Sequence, residues 1–255
     1  MTLPIAPFIA LASITGQPVK YKWSGPDAMV AVGSGNRAME KRLVSLSARA
    51  LLGLSAMSGE WLSQRFVHLS ADPELDRLIE AVWAASIDFR YLRSDALKFP
   101  RDDKNSVRGP PQEAKRILQR QCSSFESVDG GMVRYVGNLA NLVHYTLHDD
   151  KAFQAWLKAA LAKLPATSAP PLTYSSNLPI ESIEVEPVGC VDAIWGDPLP
   201  REAFDPSFDL MRADRAALID AMLVAIAAKP NPFLRGPAEL ATDGFTGKPY
   251  RYPAS

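Results

Sequence analysis

Histidine and cysteine are scarce in this chain, with three histidines and two cysteines among 255 residues. Cys122 and Cys190 form no CxxC spacing and are too few for a disulfide framework, so a reducing, cytoplasmic setting is expected. A single bridge between them stays open, because separation along the chain does not tell whether two thiols approach within bonding distance. Charge of one sign is missing as well. Twenty-eight basic side chains stand against 28 acidic ones, so no global field selects a polyanion. The nearest thing to a basic stripe, Lys115, Arg116 and Arg120, is diluted by Glu113, Asp102 and Asp103 and reads as a solvated helix face. Nucleic acid is therefore not an expected partner.

Long apolar runs are also lacking. No stretch approaches the roughly 20 uninterrupted apolar residues that span a bilayer, so no membrane association is expected. The amino end, MTLPIAPFIALASITG, has no positively charged start and is interrupted by Pro4 and Pro7, unlike a secretory signal. Catalytic signatures are absent too: there is no GxSxG elbow, no SxxK pair and no HExxH.

What the chain has is apolar residues at helical spacing, within an apolar content of 47%. From Asn36 onward, Met39, Leu43, Leu46, Ala50, Leu54, Met57 and Trp61 recur at steps of three and four. This predicts one long helix that Phe66 ends, with Gly53 and Gly59 weakening its middle and a kink or break near residue 59. Asp72-Pro73 opens a second helix running to about Phe89. Residues 94–111 are polar and Pro-broken, an exposed connection. A third helix starts at Pro111 with Ala114, Ile117, Leu118 and Cys122 inward, and Asp129-Gly130-Gly131 separates it from a fourth. The fourth carries the stripe Met132, Val136, Leu139, Val143 and Leu147. Asp149 or Asp150 caps a fifth, which faces Phe153, Trp156, Leu157, Ala160, Leu161 and Leu164 inward and stops at Pro165. A last helix begins at Asp214, places Leu218, Met222, Ala225 and Ile226 on one side, and ends at Lys229-Pro230.

Two regions read as β. Residues 5–33 hold PFIALASI, VKYKW and AMVAV between turn signals, which predicts a small hairpin, and Ile183 and Val185 alternate with Glu184 and Glu186 in a strand near 181–188 that could join it. The fold expected is mainly α: an antiparallel, bundle-like core of about six helices with this small β element and an extended carboxy-terminal tail. Residues 1–229 would form a single domain, with a β-rich entry at 1–35, a helical core at 36–165, and loop, strand and last helix at 166–229. Residues 230–255, with five prolines and three glycines around Phe233, Phe245, Tyr250 and Tyr252, would pack on it as a strap or serve as a docking arm.

Three sets of residues are candidates for binding. Gly33, Ser34, Gly35 and Asn36 lie in a G-x-G-x-x-A turn ending at Ala38, which could present amides to a phosphate, although no βαβ units follow to build a nucleotide crevice. His144 and His148, four apart on one helix face, have the spacing of two metal ligands, but no third ligand is suggested. Glu184, Glu186, Phe233, Phe245 and Tyr250 are candidates for contact with a protein partner. No catalytic residue and no cofactor follow from these patterns, and binding is favoured over catalysis. The expected function is that of a non-enzymatic, protein-binding helical scaffold such as an immunity, adaptor or effector-chaperone protein of a bacterial system. The alternative is a small-molecule or phosphate binder, or an enzyme, using the Gly33–Ala38 turn or the His144/His148 pair.

Overall fold

A computed structural model describes residues 3–25, 37–70, 72–100, 104–164 and 194–252. Nine α-helices lie among them: α1 (Pro7–Leu11), α2 (Arg37–Leu43), α3 (Ala48–Phe66), α4 (Pro73–Ile87), α5 (Gly109–Ser127), α6 (Gly131–Thr146), α7 (Lys151–Lys163), α8 (Arg215–Ala227) and α9 (Pro237–Thr242). The mainly helical expectation holds. The amino-terminal β element does not. Pro7 starts a helix at its first position, and α1 turns Ile9 into the core. Residues 19–23 of VKYKW form no strand. Among the described residues no strand forms; Leu92 and Leu234 make an isolated antiparallel bridge. The AMVAV run and the 181–188 strand lie outside the described residues.

α3 is the centre of the molecule. Every residue in it except Arg49 and Ser63 is buried, the polar Ser55, Ser58, Glu60, Gln64 and Arg65 included, and it packs against α4, α5 and α6. It does not continue the helix begun at α2. The break falls at 44–47, where Ser47 Oγ accepts from Ala50 N (3.3 Å) and caps the new helix. The two glycines are close-approach points within a continuous helix. A Cβ on Gly53 would strike the Phe204 ring, and one on Gly59 would stand 2.9 Å from Ile79 Cγ1. Tertiary packing therefore outweighs the local cost of glycine.

The contacts give the helix senses. Ser63 near the end of α3 meets Asp76 at the start of α4 (2.5 Å), while Arg49 at the start of α3 reaches Ile87 O at the end of α4 (3.4 Å), so α3 and α4 run oppositely. Gly59 faces Leu118, and Arg49 and Phe125 share the Trp195 ring, which makes α5 antiparallel to α3 too. Arg65 Nε donates to Thr146 O (3.1 Å), bringing the carboxyl ends of α3 and α6 together. α4 and α5 are thus parallel, and the long connection from Asp88 to Arg108 carries the chain back between them.

That connection is less exposed than its polarity implies. Leu97 is buried and Phe99 packs on the core, because the tail covers it. Arg93 N donates to Phe233 O (2.8 Å), Arg235 N to Tyr91 O (2.9 Å), and the Tyr250 ring stacks on Tyr91 at 4.5 Å between centroids. The tail is not extended throughout, since Pro237–Thr242 forms α9, with Glu239 accepting from Gly236 N (2.6 Å). Among the described residues one hydrophobic cluster includes side chains from Leu3 through Tyr250.

Candidate functional site

The carboxyl end of α6 collects the most chemistry. His144 and His148 both lie there, but they take different partners. His144 Nδ1 donates to Asp150 Oδ2, and Lys20 Nζ donates to His148 Nε2 (2.9 Å). Leu147 extends beyond helical geometry, so His148 leaves the face that His144 occupies. Among the described residues no group of three or more His, Cys, Asp or Glu side chains could hold a metal ion. The pair is separated by the end of its own helix, which the four-residue spacing does not reveal. Asp150 keeps its carboxylate for His144 and Gln154 and makes no side-chain cap on α7. Partial burial pushes its acidity one way, but the hydrogen bonds from Gln154 and His144 outweigh it and hold the carboxyl below the usual range.

Segment 17–23 lies across this end. Tyr21 donates to Ser106 O and Tyr145 to Lys22 O, and the two rings meet at 5.4 Å. Burial pushes the Tyr21 phenol well above its ordinary value. Beneath them is a residue the sequence reading passed over. Arg65 is fully buried, with Nε on Thr146 O (3.1 Å) and Nη2 on Pro18 O (3.1 Å). Burial lowers its affinity for the proton. Its cation sits where the carboxyl ends of α3 and α6 converge, and the partial negative charge of both helix ends offsets the charge it brings inside. This field opposes an anion, so the corner is a structural joint.

A second buried cluster ties the amino-terminal segment and Arg201 to α3 and α4. Glu60 Oε1 accepts from Trp83 Nε1 (2.8 Å) and Arg201 Nε (2.7 Å), and Oε2 accepts from Arg201 Nη2. Arg201 also reaches Pro4 O (2.8 Å), and Leu3 N donates to Glu80 Oε1 (3.3 Å). A buried pair is sustained only when its remaining hydrogen-bonding capacity is met, as here. Glu60 and Arg65, charged residues inside the apolar rhythm of 50–66, were the legible signal.

The other candidates disperse. Gly33, Ser34, Gly35, Asn36, Glu184 and Glu186 lie outside the described residues. Phe233 and Tyr250 are buried in the chain's own core, and Phe245 is half-covered by Tyr91 and by Arg90, whose guanidinium lies 4.6 Å from the ring centre. Cys122 is a free, buried thiol whose ionisation burial pushes up to about 12, which makes it a poor nucleophile.

The surface is more informative at α1. Phe8 stacks on Trp156 of α7, and Trp156 Nε1 donates to Phe204 O (2.9 Å). Lys163 Nζ holds the following turn through Asp205 O (2.7 Å) and Phe208 O. From these two segments flanking Trp156, Leu11 projects at 83% exposure and Met211 at 93%. Ile5 is exposed on the same amino-terminal segment. No protein-family description, curated protein or solved structure matches this chain.

Proposed function

We propose that the protein is a non-enzymatic helical scaffold that binds another protein through its exposed apolar side chains, foremost Leu11 and Met211. The observation that carries this reading is the exposure of Leu11 and Met211, each on a segment that contacts Trp156 through another residue, Phe8 and Phe204 respectively. Large apolar side chains kept in water favour contact with a partner. The reading is supported by the engagement of His144 with Asp150, of His148 with Lys20, and of Glu60 with Arg201 in pairs within the fold. Immunity, adaptor and effector-chaperone proteins are the classes such a scaffold would serve.

The test is co-purification of the tagged full chain with products of neighbouring genes, comparing it with a Leu11→Asp/Met211→Asp variant. The expected result is a specific partner that the wild type retains and the variant loses, with melting temperature unchanged. Retention by both moves the interface elsewhere. A rise in melting temperature with nucleotides, phosphates or divalent metals would instead favour a small-ligand role.

A further inference from the structure

We propose that Ser55, Ser58 and Gln121 form an internal water-binding site in the seam where α3, α5 and α6 meet. All three residues are 0% exposed. The Oγ atoms of both serines and both polar atoms of the Gln121 amide have no hydrogen-bond partner.

Their placement follows from helix geometry. Gly59 of α3 faces Leu118 of α5. Ser55 lies four residues before Gly59 and shares its face; Gln121 lies three after Leu118 and shares that one. Because α3 and α5 run in opposite directions, both steps move the same way along the seam, and Ser55 and Gln121 arrive at one level. Ser58 is three residues from Ser55 and seven from Arg65, whose guanidinium bonds Thr146 of α6. It therefore looks to the α6 side. α6 packs against both α3 and α5 and closes the third side of the seam.

Helix geometry thus brings three fully buried polar side chains to the same stretch of the seam. An amide and two hydroxyls supply donors and acceptors for the two to four bonds an internal water makes. Leaving an amide unbonded in the interior is costly, and the serines do not back-bond to their own helix. Solvent bridging the groups satisfies all of them, and because it depends on their shared level it also opposes a slip of α5 along α3.

Crystals of the full chain test this directly. The expected result is ordered solvent within hydrogen-bonding distance of Ser55 or Ser58 Oγ and of the Gln121 side chain. Side chains bonded only to one another or to the backbone, with the seam dry, would overturn it. A variant series adds a second reading that a purely local role would not produce. Ser55→Ala/Ser58→Ala and Gln121→Met should each lower the melting temperature, and the triple variant should melt above the less stable of the two. Losses that simply add would count against a shared water; if the variants do not fold, the solvent in the wild-type crystals decides.

Discussion

Removing one member of the Glu60–Arg201 pair leaves the other buried and uncompensated. Arg201→Met is expected to cost about 3–5 kcal/mol in urea unfolding, and adding Glu60→Gln should recover part of the loss, because Gln still accepts from Trp83. Cys122 gives a prediction in pH. Its ionisation is raised from 9.0 to about 12 in the fold, so the neutral thiol favours folding below pH 9, and this contribution declines as pH rises from there towards 12. Cys122→Ala should flatten the alkaline limb of the stability profile, and thiol reagents at pH 8 should label Cys122 far more slowly in the native protein than in the denatured one. Asp150 has the opposite sign: its lowered value favours folding above the ordinary 3.8, and this is lost as pH falls below it. The stability difference between wild type and Asp150→Asn should therefore shrink in acid.

At the level of elements, local rules and packing can be set against each other. Asp72 accepts from Glu74 N and Leu75 N (3.1 Å each) and pairs with Lys115 (3.0 Å), joining the start of α4 to α5. Asp72→Ala should cost about 1–2 kcal/mol, at the upper end for a lost cap, and lower the melting temperature. Gly53→Ala separates the two principles more sharply. Helix propensity alone predicts a gain of about 1 kcal/mol, whereas overpacking against Phe204 predicts a loss of about 1–3 kcal/mol. A lower melting temperature is expected. The same competition explains why the kink read at Gly59 is absent and the break falls at 44–47: Ser47 can cap a new helix, and Gly59 is needed where Ile79 and Leu118 come close.

At the scale of the molecule, the tail acts as a strap. Phe233, Leu234, Leu240 and Tyr250 are buried, and burying each large apolar side chain stabilises by roughly 1.5–3 kcal/mol, so the set matches a large share of the roughly 5–15 kcal/mol that holds a domain together. Deleting residues 231–255 should therefore abolish cooperative thermal unfolding, measured by circular dichroism. The strap also turns Phe233 and Tyr250 into the chain's own core, away from any partner.

The sequence by itself determined the helices from Ala48 to Lys163, because an apolar stripe at three-and-four spacing with Asp72-Pro73 and Asp129-Gly130-Gly131 as punctuation admits few other readings. The stripe Met132, Val136, Leu139, Val143 and Leu147 is wholly buried. Only the tertiary structure decided which polar residues matter. Glu60 and Arg65 stand out in the sequence as charges within an apolar rhythm, but their partners Trp83, Arg201, Thr146 and Pro18 are set only by the fold, and His144 and His148 look like a pair until α6 ends between them. Periodicity reports which face is apolar; it carries no information about what stands opposite, and burial, partner choice and close approach are all set by the facing element.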